Sequence, residues 1–139
     1  MAYCGSTGAF AYKEIEPAGI DRVFVLGPSH KRYFTDCALP SGAIKAYDTP
    51  LGPFHLDKNI IAELHETGLF SEISKEIDER EHSIEMHLPW ISFVMKGHEF
   101  ELVPVLVGDI EDAKLYGSVF ARYLQDSRNL FVISSDFCH

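Results

Sequence analysis

Three apolar runs organise the chain: Val23-Phe24-Val25-Leu26, Leu102-Val103-Pro104-Val105-Leu106-Val107 and Leu130-Phe131-Val132-Ile133. None alternates polar with apolar, so each reads as a strand covered on both faces. They predict strands at 22–27, 101–107 and 130–135, all central in one sheet. Between them the apolar spacing changes to a helical period. Asp57 precedes Ile60, Ile61 and Leu64, and Gly68 follows, which predicts a capped helix over 57–67. Leu115, Val119, Phe120 and Tyr123 predict a second helix over 111–125. A shorter helical pattern covers 6–15, with Ser6 or Thr7 as its N-cap and Phe10 and Ile15 as its apolar positions, before the break at Pro17 and Gly19.

The remaining stretches are less regular. Residues 28–42 read as loop, 43–47 as a short strand, and Thr49-Pro50-Leu51-Gly52-Pro53 as a turn. Residues 71–82 are strongly charged and read as surface. Residues 84–97 read as helix, with Pro89 starting, kinking or ending it. The last three elements run strand, helix, strand, which implies a parallel pair joined by a right-handed crossover. The expected fold class is therefore α/β, a mostly parallel central sheet with flanking helices in a single domain over 1–139.

Composition narrows the function. With 139 residues and 46% apolar residues the chain can fill a core, and its net charge of −9 argues against a nucleic-acid partner. No apolar stretch is long enough to insert in a membrane, and no signal peptide is visible. Cys4, Cys37 and Cys138 are odd in number and widely spaced, which fits reduced thiols and a cytoplasmic or nuclear location. The third apolar run ends the sequence where a site loop would begin, so the chain reads as part of a larger protein.

Candidate chemistry gathers past strand ends. In open α/β sheets ligands collect beyond the carboxyl ends of strands. His30 follows Gly27-Pro28-Ser29 directly after the first run, and is either a solvated loop histidine or a group delivered to a crevice. Asp136 and His139 follow the third run and can form a carboxylate–imidazole pair for acid–base work, although Asp136 also reads as a helix cap. Glu81-His82-Ser83-Ile84-Glu85-Met86-His87 is the densest polar cluster. It is not a zinc motif. His82 and His87 would lie about 140° apart on a helix, while His82 and Glu85 would share a face. Cys138 is a small buried hydrophobe or a reactive thiol, and no phosphate-cradling glycine loop or nucleophile elbow occurs.

Taken together, Tyr3-Cys4-Gly5-Ser6, Leu26-Gly27-Pro28-Ser29-His30, Glu81 to Pro89, Pro104 to Gly108 and Ser134 to His139 resemble the Memo family (mediator of ErbB2-driven cell motility) over essentially the whole chain. That family is similar in fold to the class III, LigB-type extradiol dioxygenases, whose non-haem iron is held by two histidines and a carboxylate. The resemblance implies a LigB-like fold, incomplete here at both ends, and a pocket of two histidines and a cysteine that takes iron or copper. It implies His30 as a metal ligand, His139 and Asp136 as catalytic residues, and Ser29, His82, Glu85 and His87 as pocket-lining residues. The family's other histidine belongs to a His-Ala-Gly-Tyr motif that would fall before Tyr3, and its cysteine would fall beyond His139.

The function implied is that of a cytosolic signalling or redox factor in cell motility, with phosphotyrosine receptors or signalling proteins as partners and no catechol cleavage. A true extradiol dioxygenase and a metal-free peptide-binding module are the alternatives. With two of three ligands outside it, the chain alone is expected to bind iron or copper poorly.

Overall fold

The computed structural model describes residues 5–136. Its core is the pairing of β1 (Arg22–Pro28) with β6 (Glu101–Val107), parallel and in register from Arg22 opposite Glu101 to Pro28 opposite Val107. Val23, Phe24, Val25, Leu102, Val103 and Val105 are fully buried, as expected of strands covered on both faces. On its other side β1 pairs in parallel with β7 (Asn129–Ile133).

Two strands lie where the sequence pattern reads as loop and charged surface. β2 (Cys37–Pro40) is buried along its whole length and runs antiparallel to β6. β5 (Phe70–Ile73) pairs in parallel with β2 and buries Phe70 and Ile73. The five-stranded order is β5-β2-β6-β1-β7, and β3 (Ala46–Thr49) with β4 (Gly52–His55) forms a separate antiparallel hairpin. The sheet is thus mostly parallel, as expected.

β7 is not central. Among the described residues it pairs with β1 alone, its residues are mostly half-buried, and Ile133 is 61% exposed. An unbroken apolar run marks a strand, but it does not say which neighbours the strand has. What covers β7 comes mainly from aromatic packing: Phe131 stacks on Phe24 at 4.5 Å, and Phe120 meets both rings edge-on.

The helices expected over 57–67 and 111–125 follow their sequence signals closely. The first helix instead contains Ser6 and Thr7 rather than being capped by them, ends before Ile15 and leaves Phe10 69% exposed. α1 covers Gly5–Tyr12, and α2 covers Lys58–Glu66. Asp57 caps α2 by accepting from the backbone N–H groups of Asn59 and Ile60, and Gly68 takes a positive φ of 72° just past its end. α3 is the single turn Lys75–Asp78. A 3₁₀ turn at Glu85–His87 leads into α4 (Leu88–Val94), so Pro89 starts a helix rather than breaking one. α5 (Ala113–Leu124) crosses from β6 to β7 and turns Tyr116, Phe120 and Tyr123 to the core, leaving Leu115 at 42% exposure. Its buried face is therefore shifted by one position from the Leu115–Val119 line.

Asp57 does more than cap. It is 2% exposed, its Oδ2 accepts from Arg22 Nε at 2.6 Å, and its own N–H donates to the Leu102 carbonyl. One residue therefore ties the start of α2 to both strands, through its carboxylate to β1 and through its backbone N–H to β6. Cys37 is also buried, and its N–H donates to the Tyr116 hydroxyl at 3.2 Å.

All three parallel strands β1, β6 and β7 end on the same side. Their ends are laced together: Ser29 N–H donates to the Val107 carbonyl at 2.9 Å, and Ser134 N–H donates to the Leu26 carbonyl at 2.8 Å. The 34–36 loop closes over the end of β6, with Gly108 N–H on the Asp36 carbonyl and Asp109 N–H on the Phe34 carbonyl. A Cβ at Gly108 would overlap both of those carbonyl oxygens and the Phe34 ring.

Two substitutions test this frame. Gly108→Ala should cost about 3 kcal/mol, because backbone atoms of the 34–36 loop must move to admit the methyl; urea unfolding midpoints measure it. Asp57→Ala should cost about 2–4 kcal/mol through the lost cap and the stranded Arg22, with Asp57→Asn losing less, read by the same method.

Candidate functional site

The chain leaves β1 through Pro28 and turns at once. Ser29 Oγ donates to the Arg32 carbonyl at 2.6 Å, closing a short loop with His30 at its tip. His30 is held between two carboxylates. Its Nδ1 lies 2.9 Å from Glu81 Oε1 and its Nε2 lies 2.9 Å from Asp136 Oδ2. The resemblance pairs His30 with the end of β7, and the structure brings Asp136 there. His139 lies outside the described residues, as do Tyr3, Cys4 and Cys138.

Glu81 is the organising group. Its side chain is only 3% exposed and accepts five hydrogen bonds. Oε2 takes the backbone N–H of His30 at 2.6 Å and of Lys31 at 3.3 Å. Oε1 takes His30 Nδ1 at 2.9 Å, His82 N–H at 2.8 Å and Ser83 N–H at 3.1 Å. Burial alone would push this carboxyl up, but the donors from His30, His82 and Ser83 outweigh it and bring it down to about 2. Glu81 therefore stays ionised at any ordinary pH, and the stability it lends is present above pH 4.5 and is lost as pH falls toward 2.

Around His30, His82 stacks ring on ring at 4.6 Å and 18°. Asp136 and then Glu81 raise the His30 pKa above its ordinary 6.5, against a smaller opposing effect of burial. The stability gained from the imidazolium is complete below pH 6.5 and disappears as pH rises through the higher folded-state value. His30, Glu81 and His82 each bring a donor atom within 4.8 Å of the others, which resembles a metal-holding set. Both oxygens of Glu81 are already taken up by five N–H donors. The ring nitrogens of His30 and His82 complete that set, and His30 Nε2 faces Asp136.

The other residues singled out in the sequence occupy different places. Ser29 sits beside His30 and stabilises its loop. Glu85 lines a cavity of about 300 Å³ with Ile44, Tyr47, Asp78, Glu81 and Leu88. In that cavity burial pushes the Asp78 carboxyl up to about 6 despite the Tyr47 hydroxyl donating to it at 2.8 Å. His87 pairs its Nδ1 with the Tyr12 hydroxyl at 2.6 Å, and Tyr12 in turn stacks on Trp90. Burial lowers the His87 pKa. Glu81 opens the densest polar cluster of the sequence but is not among the site residues that the resemblance implies. The local signal was an acidic residue able to accept from the next two backbone N–H groups.

The family model described as Memo-like protein matches residues 1–139. Protein MEMO1 of Xenopus laevis is 50% identical over 141 residues, covering 99% of this chain and 47% of that protein. Protein MEMO1 of Homo sapiens is 48% identical with the same coverage. Protein memo-1 homolog of Caenorhabditis elegans is 46% identical over 140 residues, with 39% of its length covered. The chain thus spans about half the length of the relatives it matches. A family match that runs from the first residue to the last, with relatives 48–50% identical over 99% of the chain, places this chain in the Memo family.

Proposed function

We propose that this chain supplies one arm of a transition-metal site, with His30 Nε2 as the ligand. The observation that supports it is the pair of carboxylates on His30. Glu81 is ionised and can only accept, so Nδ1 carries a proton. In the neutral ring Nε2 is then a bare lone pair 2.9 Å from a carboxylate oxygen. Two acceptors at that distance repel unless a positive charge lies between them. At low pH that charge is a second proton on His30. A metal ion meets the same need.

The donor set fits the iron or copper that the family resemblance implies. Imidazole suits both, and a carboxylate that fixes the far ring nitrogen is the usual partner of a metal-binding histidine. A bound iron or copper supplies open coordination positions and one-electron redox chemistry. His30 would hold it, Asp136 faces the same point, and Glu81 keeps the ring aimed. Further ligands come from the part of the protein that corresponds to the remaining length of the relatives. The family resemblance also supports a signalling or redox role in cell motility within the cytoplasm.

Metal titration by calorimetry over a pH series tests the reading. The apparent affinity for Fe(II) or Cu(II) should rise about tenfold per pH unit while His30 is protonated, then level off above its folded-state pKa. Asp136→Asn removes the main cause of the raised His30 pKa, so the levelling should move to lower pH. The plateau affinity should fall about tenfold. An affinity independent of pH between 5 and 8, or unchanged in His30→Asn, would sink the assignment.

A further inference from the structure

We infer that Glu81 is the positioning residue of the site, fixing His30 as its Nδ1–H tautomer and joining the two loops that form the site's floor. The consequence for metal affinity rests on the reading of His30 as a ligand, but the tautomer does not.

Three observations carry this. First, Glu81 receives its five donors from two segments far apart in sequence, His30 and Lys31 on one side and His82 and Ser83 on the other. No backbone hydrogen bond runs directly between those segments among the described residues. The carboxylate is their polar link. Second, the site is pre-shaped around that link. Ser83 packs so close to β1 that a Cβ at Gly27 would lie 2.6 Å from its Oγ, so the 82–83 segment approaches the strand end only because residue 27 is glycine. Third, an acceptor-only group opposite Nδ1 leaves a single assignment for the neutral ring: Nδ1 donates and Nε2 is bare, pointing toward Asp136.

A metal ligand and a positioning residue make different demands on Glu81. As a ligand it would have to give up N–H donors when metal arrives, and metal binding would loosen the 30–31 and 82–83 backbone. As a positioning residue it keeps them, and metal binding leaves those four amides undisturbed. It would also be the reason His82 stays stacked on His30.

Nitrogen-15 NMR of the histidine side chains in metal-free protein reads the tautomer directly, at a pH raised until the His30 ring signals no longer move. His30→Asn assigns the signal. The expected result is an Nδ1–H, bare-Nε2 ring for His30. Glu81→Ala should release the ring to a mixture of tautomers and weaken metal binding about 10- to 100-fold. Glu81→Gln, which keeps one acceptor oxygen, should restore part of both, and Glu79→Gln, an exposed acid paired with Lys75, should change neither. An Nε2–H ring in the unmodified protein overturns the inference even if every Glu81 variant fails to fold. So does a folded Glu81→Ala protein with unchanged tautomer and affinity, or metal binding that shifts the His30 and His82 amides as ligand loss would. A protein extended to the full length of the relatives, with the expected tautomer, that binds no metal overturns the metal reading and leaves the role of Glu81 standing.

Discussion

The parallel seating of β1 between β6 and β7 is the constraint from which the rest follows. Parallel strands end together, so the loops after Pro28, Val107 and Ile133 emerge side by side. An antiparallel arrangement would have sent His30 and Asp136 to opposite ends of the sheet. The interior of β1 and β6 is fully buried, and a one-residue slip would turn Phe24 away from the aromatic cluster of Phe120, Tyr123 and Phe131. Register and site geometry are thus the same property: the packing that chooses one also fixes the distance from His30 to Asp136.

Two buried carboxylates repeat one device within this frame. Asp57 and Glu81 are almost wholly removed from water, each accepts backbone N–H groups, and each faces a basic side chain, Arg22 or His30. A buried charge is tolerated only when its lone pairs are filled. Asp57 is filled from a helix start and welds α2 to the sheet. Glu81 is filled from two irregular loops and welds the site. The second case has no regular secondary structure to share the work, so more depends on the single group.

How far the sequence discloses this depends on the range of each interaction. β1, β6, α2 and α5 are carried by local signals: an unbroken apolar run, an Asp cap, a closing glycine. β2 and β5 are four residues each, and their status as strands depends on pairing with partners such as Val107, Leu106 and each other. Within a window of a few residues, Cys37–Pro40 is indistinguishable from a loop that ends in proline. The offset of α5's buried face has the same origin, since Leu115 and Tyr116 are both plausible core residues until Phe70 supplies an edge for Tyr116 to meet. The site divides in the same way. His30 and Asp136 sit where the strand-end rule points, but Glu81 acts on a residue 51 positions away, and only the folded chain shows that contact.

Cys37 gives the fold an internal clock. Its thiol is buried within a central strand, and burial, with Asp36 beside it, pushes its pKa up to about 12. Alkylating reagents attack the thiolate, which at neutral pH is about one part in 100,000 at such a value. The folded protein is therefore inert at this position, and modification can proceed only through molecules in which β2 has peeled from β6. The rate at which Cys37 is labelled thus measures how often the sheet opens, in a protein where the same opening would also undo the loop that closes over Gly108.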